Sequence, residues 1–329
     1  MTAPIFPSTY STLSPAALAL MLHERYALRR VHCTLLVKGV GDTYLVVTDT
    51  SRYILRVYRS SHRSPEQIAA ELELLLTLHK AAVRVSHPLK DKEGELIQTL
   101  PAVEGPRYAV LFTYAPGEVA AVPSDRQLEL LGEATARFHN VSAGLKPDGR
   151  RWTYDLDTTL HRPLAMVEPF FGEYPDGYAW LKDVAVVVGD RLQKLDTEHF
   201  SRGFCHFDLL PKNFHFKDDT VTLFDFDFMG NGWLVNDLTA FWQHLQVEAY
   251  TGRTTQVRAD EAYQRFLKAY QAHRALTEDE LQAVPYLTPG FWVFYMGFHT
   301  THDHFLPYLQ LASLRPRVKA LQQIMTAYV

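Results

Sequence analysis

The stretch that decides the fold is His206-Phe207-Asp208-Leu209-Leu210-Pro211-Lys212-Asn213, which is followed by Phe224-Asp225-Phe226-Asp227. In it a His precedes an Asp by two residues, an Asn follows five residues later, and a further Asp ends an apolar run. Phosphoryl transfer from ATP needs a carboxylate that orients the attacking hydroxyl. It also needs an amide oxygen and a second carboxylate that hold Mg²⁺ against the phosphates. The segment supplies these three groups in that order, so it predicts phosphoryl-transfer chemistry.

The residues around this motif predict a loop that opens into a β-hairpin. Residues 213–216 alternate like a short strand, residues 217–220 form a turn, and residues 221–225 read as a second strand. Such a hairpin brings Asn213 and Asp225 close together, as a shared metal ion requires. The alternative is that Asp208 and Asn213 are ordinary turn residues.

The motif resembles the catalytic loop of the aminoglycoside phosphotransferase/choline kinase superfamily, to which homoserine kinase-like and stress-response kinase-like proteins belong. That family reads H-G-D-x-x-x-x-N, then a strand that ends I-D-F/W-D/E, then a later D-L on a helix. The resemblance implies that Asp208 is the catalytic base and that Asn213 and Asp225 bind Mg²⁺. It also implies that His206 and Asp237 support the catalytic loop. Phe207 departs from the pattern, because the family has a small residue there.

Composition and charge narrow the class of protein. The 329 residues include 33 basic and 37 acidic ones, which gives a net charge of −4 and makes nucleic acid an unexpected partner. Cys33 and Cys205 fit no metal or redox spacing. No apolar run reaches the roughly 20 residues that a membrane helix needs, and Ser14-Pro15 predicts the start of a helix rather than a signal peptide. We therefore expect a cytoplasmic enzyme without a membrane segment.

The first third of the chain predicts a β-rich lobe that binds the nucleotide phosphates. Residues 31–38, 43–48 and 52–58 are strand-like, and Gly39 and Gly41 lie in the turn between the first two strands, where a backbone can approach a phosphate. Arg56 occupies the position of the phosphate-binding cation. Glu71, on the helix that follows, is its expected partner. Lys38 is the alternative cation, and a solvent-facing Arg56 is the simpler interpretation.

The middle of the chain predicts a hinge and a change to helices. Strands are expected at residues 83–89, 96–100 and 108–112, and backbone groups of Thr113 to Ala115 are expected to contact adenine. Later helices are expected at residues 124–143, 160–171, 179–195, 234–250, 259–273 and 276–284, and a last pair from about residue 290. The prediction is an α+β, protein-kinase-like fold of two lobes with ATP between them. The β-rich N-lobe spans residues 1–115 and the mainly helical C-lobe spans residues 116–329.

The acceptor stays open at this stage, because acceptor pockets are built from variable C-lobe helices. We expect ATP and a small hydroxylated molecule as ligands. A protein Ser/Thr kinase of the bacterial stress-response type and a nucleotide-binding module without turnover are the alternatives. Two further patterns are noted. His299, His302 and Asp303 have spacing that can bind zinc, and an acidic pocket for a cationic acceptor could be formed by Asp155, Asp157, Glu168 and Glu173.

Overall fold

The computed structural model describes residues 10–146 and 148–328, and the chain forms two compact units. The first unit contains the described residues up to Lys80 together with Val85–Ala115. The second contains Ala81–Arg84 and the described residues from Pro116 onward. No helix in the described part of the chain is both long and apolar enough to cross a membrane.

The first unit is a five-stranded antiparallel sheet with two helices. The elements are Pro15–Tyr26 (α1), His32–Lys38 (β1), Gly41–Val47 (β2), Arg52–Tyr58 (β3), Pro65–Lys80 (α2), Gln98–Ala102 (β4) and Gly105–Thr113 (β5). Neighbouring strands are hydrogen-bonded in the order β1-β2-β3-β5-β4.

Local sequence signals explain where both helices begin. The Ser14 hydroxyl accepts a hydrogen bond from the Ala17 N–H at 3.5 Å, and Pro15 occupies the first helical position of α1. At α2, Ser64 and Gln67 exchange side chain-to-backbone bonds of 3.0 and 3.3 Å, which form a capping box. The apolar face of α2 is buried through Ile68, Leu72, Leu75 and Leu78.

The second unit is mainly helical and carries two small sheets. Its strands are Trp152–Tyr154 (β6), Arg202–Cys205 (β7), Phe214–Lys217 (β8), Thr220–Leu223 (β9) and Gly230–Trp233 (β10). Its α-helices are Asp125–Ser142 (α3), Arg162–Val167 (α4), Pro175–Leu192 (α5), Val235–Tyr250 (α6), Gln256–Gln271 (α7), Glu278–His299 (α8) and Leu311–Met325 (α9). Strands β6, β10 and β7 form one sheet, and β8 and β9 form the predicted hairpin.

Three predicted elements are wrong in their details. Residues 83–89 form no single strand, because the chain passes from one unit to the other within this stretch and Pro88 has no N–H. Residues 160–171 form a π turn, the short helix α4 and the 3₁₀ turn Glu168–Phe171, since Pro163 and Pro169 interrupt regular bonding.

The third difference is α8, which runs without a break through Pro285 and Pro289, where the sequence predicts two helices. Each interior proline costs about 3 kcal/mol in an exposed helix. Because most of the helix between Ala283 and Gly297 is buried, its packing outweighs that cost.

Candidate active site

The centre of the site is Asp208, which lies in the loop between β7 and β8 with only 4% of its side chain exposed. Its Oδ2 accepts a hydrogen bond from Asn213 Nδ2 at 2.7 Å and an ion-pair contact from Lys212 Nζ at 2.8 Å. Its Oδ1 is buried and accepts no hydrogen bond of standard geometry from the described residues, although the Tyr295 side chain is close enough to interact with the carboxylate. This oxygen can therefore accept a further hydrogen bond.

His206 fixes the backbone of this loop through both ring nitrogens. Nδ1 accepts the Asp208 N–H at 3.3 Å, so the proton must lie on Nε2, which donates to the Phe224 carbonyl at 2.9 Å. The imidazole therefore connects the loop to the end of β9. His206 thus contacts Asp208 through the backbone N–H and not through a hydrogen bond to the carboxylate, and its supporting role stays a prediction.

Asp237, at the start of α6, accepts three hydrogen bonds in a fully buried position. The donors are the backbone N–H groups of His206 at 2.8 Å and Phe207 at 2.7 Å, and His139 Nε2 at 2.9 Å. His139 Nδ1 in turn lies 2.8 Å from the Tyr270 hydroxyl, which must donate to it. Burial lowers the pKa of His139, although Asp237 opposes that shift. Asp237 thus joins two backbone N–H groups of the loop to His139 of α3, and its supporting role in catalysis stays a prediction.

Phe207 has a left-handed backbone with φ +61°. A non-glycine residue pays roughly 1–2 kcal/mol for this conformation. Its ring offsets that cost by stacking on Tyr154 at 3.7 Å and packing against Phe294 of α8 at 5.0 Å. The large side chain thus fills a gap between β6 and α8 that a glycine would leave open.

The candidate metal ligands lie at the open end of the β8–β9 hairpin. The Phe224 N–H donates to the Asn213 carbonyl at 2.9 Å, which sets Asn213 beside the residue that precedes Asp225. Both side-chain bonds of Asn213 use its amide nitrogen, and the Asp225 side chain is exposed. An amide oxygen and a carboxylate are ligands that Mg²⁺ prefers, so the residues fit this ion.

Charges at the site are coupled. Burial raises the pKa of Asp208, Lys212 opposes this rise, and Asp225 adds to it. Burial acts to lower the pKa of Lys212, but the Asp208 carboxylate raises it above its ordinary value, with a smaller contribution from Asp225. These mutual effects place Asp208, Lys212 and Asp225 in one electrostatic cluster.

The first unit brings two of the predicted phosphate-binding groups together. Arg56 on β3 is the cross-strand partner of Thr43 on β2. Its guanidinium lies close to Gly41, because a Cβ atom added to Gly41 would be 4.0 Å from it. The Tyr58 hydroxyl donates to Glu71 at 3.4 Å, and the Arg56 guanidinium lies 5.2 Å from the Tyr58 ring. Arg56 and Glu71 therefore share a neighbourhood around Tyr58. Gly39 lies beside Gly41 in the same turn, and neither has a positive φ.

Two residues of this unit have contacts that the sequence does not indicate. The backbone N–H of Thr113 donates to the His87 carbonyl at 2.9 Å, and its own carbonyl accepts from Ser86 at 2.6 Å. The N–H of Thr113 is thus engaged, while its carbonyl oxygen can accept a second hydrogen bond, so the contact of Thr113 to Ala115 with adenine stays a prediction. Asp42, beside the glycine turn, is fully buried and pairs with Arg107 at 3.5 Å.

The two alternative patterns are not supported as ligand sites. Within residues 10–146 and 148–328, no group of three or more His, Cys, Asp or Glu side chains could hold a metal ion, so His299, His302 and Asp303 form no zinc site. Two of the acidic residues have local partners. Asp155 Oδ1 accepts the Thr158 N–H at 2.8 Å, and Asp157 pairs with Arg162.

Sequence reasoning assigned no role to four residues of the site: Lys212, His139, Tyr270 and Arg151. Arg151 donates to the carbonyl groups of Phe226, Asp227 and Met229, which holds the turn after Asp225. Lys212 was visible inside the motif itself, four residues after Asp208, a spacing that lets side chains meet in a single turn. The contacts of His139, Tyr270 and Arg151 join residues 75 or more positions apart, and no local pattern reports such contacts.

Comparison with known proteins agrees with this geometry. The sequence profile described as the phosphotransferase enzyme family matches residues 32–278. An uncharacterised protein of Deinococcus radiodurans is 35% identical over 89% of this chain and 84% of its own length. A homoserine kinase of Rhodospirillum rubrum is 28% identical over 86% of this chain and 84% of its own length.

Solved structures show the same fold. A microcompartment-associated aminopropanol kinase superposes with a TM-score of 0.73 at 21% identity, over 94% of this chain and 95% of that chain. Amicoumacin kinase, solved in complex with AMP-PNP, Ca²⁺ and Ami, also gives a TM-score of 0.73 at 18% identity, over 96% of this chain and 94% of that chain. The predicted α+β, protein-kinase-like fold is thereby confirmed. The chain belongs to the phosphotransferase enzyme family.

Proposed function

We propose that this chain is an ATP- and Mg²⁺-dependent kinase that phosphorylates a hydroxyl group of a small molecule. The observation that carries the proposal is the Asp208 carboxyl group. One of its oxygens is held by Asn213 and Lys212. The other is buried near Tyr295 and accepts no hydrogen bond of standard geometry from the described residues. An acceptor hydroxyl that donates to Oδ1 would complete its hydrogen bonding and be oriented for attack.

The remaining roles follow from the chemistry of the nucleotide. Asn213 and Asp225 would hold Mg²⁺, which neutralises negative charge on the phosphates. Arg56, beside Gly39 and Gly41 and near Glu71, would bind the α- and β-phosphates. Tyr114 and Ala115 follow β5 at the position expected to contact adenine. Lys212 restrains the Asp208 carboxylate in one rotamer, and Asp237 and His206 restrain the loop.

A small-molecule acceptor is favoured by the relatives. The proteins that align over most of the chain include homoserine kinases, and the superposed structures are kinases of aminopropanol and amicoumacin. The complete set of Asp208, Asn213 and Asp225 argues for turnover rather than nucleotide binding alone.

The test is Asp208→Asn, with Asp183→Asn on the exposed face of α5 as a control for the loss of one carboxylate. ATP consumption is measured against a panel of hydroxylated amines, amino acids and sugars, and the melting temperature is measured on the same preparations. We expect Asp208→Asn to bind MgATP and remain folded, but to transfer phosphate about 10²–10⁴-fold more slowly. An unchanged rate per folded molecule would refute the mechanism, whatever the acceptor is.

A further inference from the structure

One part of the second unit carries a positive charge that the proposed mechanism does not use. Arg317 of α9 is half-buried, and its guanidinium contacts His299 Nδ1 at 3.2 Å and the Tyr308 carbonyl at 3.5 Å. Its guanidinium lies over the Tyr308 ring at 5.3 Å. Among the described residues no carboxylate lies within ion-pair distance of it. Asp303 is exposed.

The neighbouring imidazole adds a second donor. Arginine can only donate, so His299 Nδ1 accepts from Arg317 and the ring proton lies on Nε2. Burial, with a further contribution from Arg317, lowers the pKa of His299 to about 4, so the ring is neutral near pH 7. Among the described residues no hydrogen bond uses Nε2. Arg317 and His299 together therefore offer hydrogen-bond donors and positive charge, and a half-buried arginine without a counter-ion is stabilised by an anion.

Helix α8 links Arg317 and His299 to the loop that carries Asp208, where the acceptor hydroxyl is proposed to bind. Tyr295 lies one helical turn before His299 on the same face of α8, about 6 Å along the axis. The Tyr295 hydroxyl is beside the catalytic loop: it donates to the Phe207 carbonyl at 3.5 Å, and burial together with the charge of Asp208 raises the pKa of Tyr295.

Half-exposed aromatic rings connect the two positions. Phe228 lies 5.1 Å from Tyr295 and 5.0 Å from Phe298, and Phe305 lies 5.6 Å from Phe298 and 5.3 Å from His299. The four rings of Phe228, Tyr295, Phe298 and Phe305 are only partly buried, so each keeps some accessible surface. Contacts between aromatic rings thus link Tyr295, beside the loop of Asp208, to His299.

We propose that Arg317 and His299 form a subsite for an oxyanion group of the acceptor, a carboxylate or a phosphate, whose hydroxyl lies at Asp208. The acceptor would be a hydroxylated acid with a body that packs on the aromatic rings. It would not be a purely cationic amine. The statement that the bound oxyanion belongs to the acceptor rests on the proposed function. The binding of an oxyanion at Arg317 does not depend on turnover.

The first test measures anion binding on the full chain, without activity. Sodium sulfate is titrated at constant ionic strength while the Cε1–H resonance of His299 is followed, with His299→Gln used to identify the signal. We expect a saturable shift in the wild type and in the control Lys319→Met, which removes an exposed charge on the same helix. In Arg317→Met the dissociation constant should rise at least about tenfold. A wild-type shift that does not saturate, or one that Arg317→Met leaves unchanged, overturns the subsite.

The second test asks whether the anion belongs to the acceptor. Pairs of hydroxylated compounds that differ only in an oxyanion, such as homoserine and 3-aminopropan-1-ol, are compared by kcat/KM. We expect the wild type to prefer the acid at least about tenfold, and Arg317→Met to lose that preference. If sulfate binds but turnover prefers the compound without an oxyanion, the acceptor assignment is wrong and the site takes a free anion. In Asp208→Asn the sulfate response should persist while transfer is lost, so the two proposals fail independently.

Discussion

At the scale of single residues, Phe207 shows how a side chain can offset an unfavourable backbone. Substitution by Ala and by Gly removes the same packing against Tyr154 and Phe294, but only Gly adopts φ +61° without strain. Both variants should be less stable than the wild type by about 3–5 kcal/mol. Phe207→Gly should nevertheless be more stable than Phe207→Ala by about 1 kcal/mol, the reverse of the usual order.

Urea unfolding of the two variants measures this difference. Phe138 and Phe241 are the control sites, because both phenylalanines are buried inside helices with ordinary backbone angles. At each control site the alanine variant is compared with the glycine variant. There glycine should be the less stable residue by about 1 kcal/mol. The strain interpretation is wrong if Phe207 shows that same order.

Residue identities in the catalytic loop could be predicted because the pattern is local. Asp208 and Asn213 are five positions apart, and the structure joins their side chains at 2.7 Å. The engaged N–H of Thr113 could not be predicted, because its partner His87 lies in a segment whose path between the units has no sequence signature. The contact between His299 and Arg317 could not be predicted either, because 18 positions separate the two residues.

At the scale of elements, the close packing of α3 on α7 depends on Gly132. A Cβ there would lie 2.3 Å from the Phe266 carbonyl oxygen and 3.0 Å from the Tyr270 N. Gly132→Ala should therefore push α7 away and destabilise the protein by about 1–3 kcal/mol. Because Tyr270 donates to His139, which donates to Asp237, we expect turnover to fall as well.

Gly189 of α5 is the matched control for this substitution, since a Cβ there meets nothing within 4 Å. Gly189→Ala should stabilise the protein by about 0.5–1 kcal/mol, because alanine is the better helix former. Thermal unfolding of both variants gives the comparison. Equal effects from the two would mean that helix propensity, and not the contact with α7, decides the outcome.

Helix α8 shows where local signals fail at this scale. Two prolines and a glycine within six positions predict a break, yet the helix is continuous because neighbouring elements bury most of it from Ala283 to Gly297. Helix starts such as those at Pro15, Pro65 and Asp125 were predictable, since a cap is a contact between residues three positions apart. Continuity depends on tertiary packing, which a sequence window does not contain.

At the scale of the whole molecule, buried histidines should make stability fall as the pH is lowered from about 6.5 to 4. Burial lowers the pKa of His87, His139, His244 and His299, in the last case to about 4. In this window the folded chain binds fewer protons at these residues than the unfolded chain does, so acid favours unfolding. The buried Asp208, whose raised pKa makes the folded state the better proton binder, acts in the opposite sense.

His299 allows the size of this effect to be measured for one residue. Its pKa differs from the ordinary histidine value of about 6.5 by roughly 2.5, so it should account for about 2 kcal/mol of the stability lost between pH 7.5 and pH 4.5. Arg317 of α9 and Tyr308 are the ionisable groups that face it, and Arg317 keeps its charge throughout this range.

His299→Gln retains an oxygen that can accept a hydrogen bond from Arg317 but binds no proton. Urea unfolding at the two pH values should therefore show a drop about 2 kcal/mol smaller in His299→Gln than in the wild type, and an unchanged drop in His304→Gln, whose side chain is exposed. A drop of equal size in the wild type and His299→Gln would mean that His299 is protonated in the folded protein at pH 4.5. Arg317 would then face a second positive charge, and the other three histidines would have to account for the acid sensitivity.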